Sequence, residues 1–159
     1  MHETIRVGEM SITFIKTRHE TAGSLDLYEV TIPPHANVRL PHIHRKYDET
    51  VFGMNGVVTW TLDGKEIPVE PGDTLFVPRG TPHFYTNLGD TTARMMCMHT
   101  PGVLGSGFFR ELSMHFNPEG PPDIAGISEV MVRYGVFPSI SAHNDEYPLP
   151  KDHIGRIVV

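Results

Sequence analysis

From residue 4 to residue 99 the chain is a succession of short runs in which apolar and polar residues alternate, or branched apolar residues cluster. Each run is closed within a few positions by Gly, Pro or Asp. Alternation with period two puts successive side chains on opposite faces of an extended backbone, so each run predicts a strand with one buried face. The predicted strands cover residues 5–7, 11–16, 25–32, 49–52, 57–62, 66–69, 74–77, 83–87 and 92–99. Asp63-Gly64 suits a two-residue hairpin turn with positive φ at both central positions. Pro71-Gly72-Asp73 and Pro78-Arg79-Gly80 are further turns. Nothing here is long enough for a crossover helix, so an antiparallel sandwich or barrel is expected rather than a doubly wound sheet.

Beyond Pro101 the period lengthens. Phe108, Phe109, Leu112 and Phe116 recur at helical spacing, as do Ile124, Ile127, Met131 and Tyr134, a set that opens with Pro121-Pro122 and closes at Gly135. Two short amphipathic helices on the outside of the β body are predicted, within a helical segment over about residues 106–135. Residues 136–159 carry Asn144, Pro148, Pro150 and several charges with little periodicity. They are expected to form an extended arm, ordered only where it docks on the body or on a second subunit. The whole of 1–159 reads as one domain, with a barrel over about 1–100.

Composition narrows the function. A hydrophobic share of 39% and a charged share of 20% argue against disorder. No apolar run approaches the ~18 residues of a membrane span, and the first residues lack a cationic and apolar signal pattern. A soluble, cytoplasmic chain with no membrane partner is the expectation. Thirteen Lys and Arg against nineteen Asp and Glu leave a charge of −6 with no basic block, which argues against nucleic acid as a partner. Cys97 is the only cysteine, so an internal disulfide framework and any all-thiolate metal site are excluded. Ten histidines stand out, because imidazole is the commonest metal ligand and titrates near neutral pH.

Two segments concentrate the chemistry. In Pro41-His42-Ile43-His44, strand geometry aims His42 and His44 to one face and Ile43 to the other. Glu49 follows after a turn over 45–48. Pro78-Arg79-Gly80-Thr81-Pro82-His83 delivers His83 at the start of another strand. If the two hairpins face each other, three imidazoles and one carboxylate converge, a set that suits a divalent first-row metal and not calcium or magnesium. A lone inward histidine is more often a hydrogen-bonded core group, the reading applied to His2, His19, His35, His99, His115, His143 and His153. Of these His99 is the least secure, since it ends a strand that can line the barrel. Cys97 is most simply a small buried hydrophobe. Strand parity places Tyr85 on the face of His83, Val51 and Gly53 on the face of Glu49, and Tyr28 on the apolar face of its strand. Tyr28, Val51 and Tyr85 are therefore the candidate substrate contacts, and Gly53 is expected to leave space near the metal.

These residues resemble the cupin superfamily. The first cupin motif includes His-x-His, four residues, Glu, six residues and Gly, matched by His42, His44, Glu49 and Gly56. The second runs Gly, five residues, Pro-x-Gly, two residues, His, three residues and Asn, matched by Gly72, Pro78, Gly80, His83 and Asn87. One glycine usual in the family, five residues ahead of the first His-x-His, is replaced by Ala36. The resemblance implies an all-β jelly-roll barrel with one divalent transition metal (iron, manganese, nickel, copper or zinc) held by His42, His44, Glu49 and His83. It also implies a homodimer. The later segment Gly107-Phe108-Phe109-Arg110-Glu111-Leu112 is similar to the tail of single-domain, quercetin 2,3-dioxygenase-like cupins.

The expected activity is that of a metal-dependent dioxygenase that cleaves a hydroxylated aromatic or enolisable small molecule with O2. Glu49 is the expected catalytic base for the substrate hydroxyl. Two other classes use the same residues: a non-redox isomerase, lyase or decarboxylase acting through a metal-bound enolate, and a non-catalytic, metal-stabilised ligand-binding barrel.

Overall fold

The computed structural model describes residues 2–116, 120–139 and 156–158, with backbone alone at 37–39 and 156–158. Twelve strands and two helices follow one another as β1 (Thr4–Val7), β2 (Met10–Lys16), β3 (Asp26–Ile32), β4 (Asn37–His44), β5 (Asp48–Asn55), β6 (Val58–Leu62), β7 (Lys65–Val69), β8 (Asp73–Val77), β9 (His83–Thr86), β10 (Ala93–Thr100), α1 (Gly105–Ser113), α2 (Ile124–Arg133), β11 (Val136–Pro138) and β12 (Arg156–Val158). They form a seven-stranded sheet in the order β1-β2-β3-β10-β5-β8-β12 and a five-stranded sheet in the order β11-β4-β9-β6-β7. Every pairing is antiparallel. The two sheets face each other as a cupin-like β-sandwich, the all-β architecture expected from the alternation.

Burial follows that alternation. β3, β6, β8 and β10 each bury every second residue, and the inward sets, including Val30, Trp60, Leu75 and Met95, form the core between the sheets. Asp63 and Gly64 take φ of 45° and 77°, which closes the β6–β7 hairpin with Leu62 opposite Lys65 as predicted. Pro68 is tolerated because β7 is an edge strand of the smaller sheet. The extent of β4 is not predicted by the pattern, since Pro41 interrupts it and its pairing with β9 shifts register between Val38 and His42.

Both helices stand where helical spacing predicts them, with one difference. α2 begins behind Pro121-Pro122, where the Asp123 side chain accepts from the Gly126 N–H, and ends before Gly135 at φ 78°. α1 stops at Ser113, whose hydroxyl bonds back to the Arg110 carbonyl, and the chain tightens into shorter-range bonds there. Phe116 therefore lies beyond the helix and packs on the β1–β2 turn at Gly8. In the predicted arm, Val136–Pro138 is ordered as β11 against β4 and the backbone of Arg156–Val158 pairs with β8, while residues 140–155 and 159 lie outside the described residues. No helix among the described residues is long and apolar enough to cross a membrane.

α1 is anchored from beneath. Asp26 is fully buried, and its carboxylate accepts from the backbone N–H of Arg18 and from that of Gly105 at the first turn of α1. A carboxylate at a helix N-terminus also complements the helix dipole. Asp26→Ala leaves the buried Gly105 N–H and the part-buried Arg18 N–H without their acceptor. The expected outcome is a loss of about 1.5–3 kcal/mol, measured as a lower urea midpoint at unchanged slope.

Candidate metal centre

Each imidazole of the predicted set is placed by a strand of the smaller sheet. His42 and His44 lie at the end of β4, and His83, at the start of β9, is directly paired with His42 across the ladder. The β8–β9 connection, which crosses from the larger sheet to the smaller and leads into His83, is tied to the β4–β5 connection at two points. The Gly80 N–H donates to the His44 carbonyl at 2.7 Å, and Arg79 holds Asp48 through its backbone N–H and its guanidinium. That guanidinium keeps the Asp48 carboxyl below its ordinary range. As a result one potential ligand nitrogen from each of His42, His44 and His83 lies within 4.8 Å of the other two.

The protonation pattern suits a metal. His42 Nδ1 donates to the Leu40 carbonyl and His83 Nδ1 to the Thr81 carbonyl, both at 2.8 Å. That tautomer leaves each Nε2 with a free lone pair, and His83 Nε2 is buried without a hydrogen-bond partner. Burial, then the neighbouring His83, pushes His42 down to about 3. Burial also leads the downward shifts of His44 and His83. All three rings are thus neutral at physiological pH, the state in which imidazole coordinates. The site fits a divalent ion that takes nitrogen ligands, and His42, His44 and His83 are the residues that can hold it.

The larger sheet supplies the other half of the centre. Glu49, near the start of β5, brings Oε2 to 3.7 Å from His83 Nε2 and 3.9 Å from His44 Nδ1. These separations are too long for hydrogen bonds but within the ~4.2 Å that two first-row metal bonds can span. Burial alone would raise the Glu49 carboxyl. The surrounding imidazoles, His99 first, outweigh it and hold the carboxyl at about 2.

His99, expected to be a core histidine at the end of a strand that can line the barrel, stands beside Glu49. It pairs with Glu49 across the β5–β10 ladder, places Nε2 3.4 Å from Glu49 Oε1, and shares a 2.9 Å hydrogen bond with the Tyr28 hydroxyl. Tyr47 is fully buried in the turn before β5, stacked on His44 at 4.3 Å and against His99 at 4.4 Å. Neither alternation nor a motif marked it, because a turn has no parity. Cys97 is buried as expected, but its thiol lies between Tyr28 and Glu49 on the cavity wall, and burial together with the Glu49 charge pushes it upward.

A cavity of about 90 Å³ opens from these groups toward the helices. Tyr28 and Tyr85 line it as expected, and burial holds both phenols well above the usual range. Val51 does not. It is fully buried about 7 Å further along β5 than Glu49, in the core beyond the cavity floor. Gly53 likewise leaves no space for a ligand: a Cβ there would meet the Glu70 carbonyl oxygen at 2.0 Å, so its role is close backbone approach. Phe108, Phe109 and Leu112 of α1, with Met131 of α2, wall the cavity on the side away from the histidines. The helices thus close the barrel's mouth as well as packing on its outside. His2, His19, His35 and His115 stay clear of the centre, and His143 and His153 fall outside the described residues.

The three-histidine cluster between the sheets of this β-sandwich, with His44 and His83 buried and His42 half-buried, is one that could hold a metal ion. Residues 28–99, a little under half of the chain, match the model of the cupin domain. The chain is 38% identical over 71 residues to quercetin 2,3-dioxygenase of Bacillus subtilis, a stretch covering 45% of this chain and 20% of that enzyme. Among solved structures it resembles a sugar phosphate isomerase of Silicibacter pomeroyi, at 26% identity with a TM-score of 0.51, covering 57% of this chain and 59% of that one. It shares the fold of an oxalate decarboxylase of Bacillus subtilis, at 20% identity with a TM-score of 0.56, covering 67% of this chain and 29% of that one. The matched stretch thus spans less than two thirds of each of these proteins.

Two outcomes follow for the centre. The unfolded chain protonates a histidine below about pH 6.5, while folded His42 stays neutral to about 3, so acid favours the unfolded state. Metal-free protein should lose up to about 1.4 kcal/mol per pH unit for each such histidine between those limits, read as a falling urea midpoint from pH 7 to 5. His83→Ala should cut bound metal in protein purified without chelator to well below half of the wild-type content, measured by elemental analysis.

Proposed function

We propose that this chain is a single-domain cupin dioxygenase, quercetinase-like, which binds one divalent transition metal through His42, His44, His83 and Glu49 and oxidatively cleaves a hydroxylated aromatic or enolisable small molecule. The observation that carries this reading is the cavity itself: aliphatic and aromatic walls, one carboxylate, and no lysine or arginine among the described lining residues. Beyond the charge of a bound ion itself, an oxalate or a sugar phosphate brings charge that such walls leave unpaired, whereas an uncharged polyphenol or diketone loses little on entry. Similarity to a quercetin 2,3-dioxygenase supports the same choice.

When bound, the metal supplies Lewis acidity toward a substrate hydroxyl and access to redox chemistry with O2. The chain's own residues do the rest. Glu49, with its proton affinity held low, accepts a proton only from a hydroxyl already acidified, and its place between the sheets puts Oε2 beside the imidazoles. His99 and Tyr28 hold the other oxygen of that carboxylate in line. The aromatic rings of α1 exclude water from the reacting end.

Association is part of the proposal. On the outward face of the larger sheet Phe52 pairs with Met96, and Phe52 and Met54 are 37% and 38% exposed. A second copy of the chain packed there would bury an apolar face that β5 and β10 otherwise leave in water. Phe52→Asp should convert a dimer to monomer by light scattering, and a wild-type monomer refutes this element.

The decisive experiment is oxygen uptake with a flavonol by protein reconstituted with iron, manganese, nickel, copper or zinc. Uptake should stop under nitrogen, and Glu49→Gln should slow it by about 10²–10⁴-fold. Absence of uptake with every metal and every enolisable aromatic refutes the oxygenase. Turnover under nitrogen by the zinc form would assign the site to non-redox isomerase, lyase or decarboxylase chemistry instead.

A further inference from the structure

A second apolar depression, of about 350 Å³, lies beside the metal cavity, and Val7, Met10, Leu40 and Phe116 are walls of both. Its remaining walls come from the β1–β2 turn at Gly8 and from Ile124 and Ile127 at the start of α2, with Ala36 and Pro122. Phe116 stands at the boundary. A Cβ on Gly8, whose φ is +59°, would come within 3.0 Å of the Phe116 ring, so the ring rests on bare backbone. Among the described residues, this ring and the side chains of Val7, Met10 and Leu40 line both spaces.

We propose that the outer depression receives the uncharged, apolar extension of a substrate whose chelating head sits in the inner cavity, with Phe116 as the partition it passes and Ile124 as a specificity-determining contact. The inference rests on the reading of the metal centre given above and adds to it the shape of the substrate: a small hydroxy-ketone head carrying an aryl or alkyl extension. Size points this way, because the inner space at about 90 Å³ is roughly a quarter of the outer one and holds only a head group. Lining chemistry agrees. Among the described lining residues of the outer depression the one charged residue is exposed Glu9, which disfavours an anionic extension. Ile124 is 54% exposed although apolar, so an occupant would bury surface that is now in water.

The test uses the zinc-loaded full chain, in which no oxidation interferes, and two probes with the same chelating head. Maltol is the head alone, and 3-hydroxyflavone carries an aryl extension. Calorimetry should show 3-hydroxyflavone binding at least about tenfold tighter than maltol, the gain expected of one buried ring. Ile124→Glu places a carboxylate in the first turn of α2, which the helix dipole tolerates. It should remove most of that advantage and leave maltol unchanged. Equal loss for both probes, or loss for neither, overturns the inference. So does light scattering that shows Ile124→Glu dissociating a dimer, which would give the depression to a second copy of the chain. If neither probe binds, the reading of the metal centre fails by itself. Flavone, which lacks the chelating hydroxyl, is then titrated into metal-free protein labelled at its methionine methyls. A shift of Met10 while Met131 of the inner cavity and Met54 do not move upholds the outer site, and no shift of Met10, or a shift of Met131 with it, overturns it.

Discussion

Side chains on a strand change face with every residue, so a slip of one position between β4 and β9 would carry His83 from the cavity to the other side of the sheet. His42 faces His83 only because that register is held from outside the ladder. The Gly80 N–H on the His44 carbonyl and the Arg79–Asp48 pair fix the β8–β9 connection against the β4–β5 connection. The irregularity between Val38 and His42 absorbs the mismatch that Pro41 introduces, at the far side of the histidines from the clamp. Placement of the centre is therefore a property of two turns rather than of the strands they join.

That register concentrates polar groups where they are expensive. His44, His83, His99 and Glu49 are each no more than 5% exposed, and His83 Nε2 and His99 Nδ1 lack hydrogen-bond partners. Burial of neutral imidazole nitrogens and one carboxylate without full satisfaction works against folding. A bound divalent ion reverses the sign locally, because it satisfies the free lone pairs and adds ligand-binding free energy to the folded state alone. The same neutrality that makes the histidines ligands makes metal-free protein sensitive to acid. Folding and metal binding are then two readings of one electrostatic arrangement.

How much of this the sequence discloses differs from residue to residue. Strands with alternating burial, such as β3 and β10, announce themselves, and so does the β6–β7 turn, where Asp63 and Gly64 supply the required positive φ. His42, His44, Glu49 and His83 are legible because turn residues at fixed offsets bracket them. His99 has no such bracket. Its place is set by pairing with Glu49 across β5 and β10, a contact between residues fifty apart that one-dimensional spacing does not encode. Parity identifies a face but not a depth, which is why Val51 shares the face of Glu49 and yet lies in the core below the cavity. Gly53 carries the same lesson, since the approach of the Glu70 carbonyl comes from another turn. Helical spacing extended to Phe116 fails because the Ser113 hydroxyl competes for a helix carbonyl, and only three-dimensional packing shows where the ring goes.

The barrel places a metal centre, but the barrel alone does not choose the chemistry, since one fold serves decarboxylation, isomerisation and oxygenation. What distinguishes this chain is the material closing the mouth. α1 contributes Phe108, Phe109 and Leu112 to the cavity and is held there by Asp26 from below and by a Glu3–Arg110 ion pair at its flank. Charged side chains of the helices stay outside: Glu111 bonds to Arg133 and Tyr134 on the surface, so the face turned inward is apolar. Apart from the ion itself, a centre with one carboxylate, neutral imidazoles and an apolar roof offers an anion no counter-charge from its own side chains. It offers a hydroxylated, uncharged molecule both an acceptor for its proton and a dry wall for its rings. On the proposed reading, selectivity for such a molecule would be built by the segment that follows the barrel, because metal ligands common to many chemistries leave that choice open.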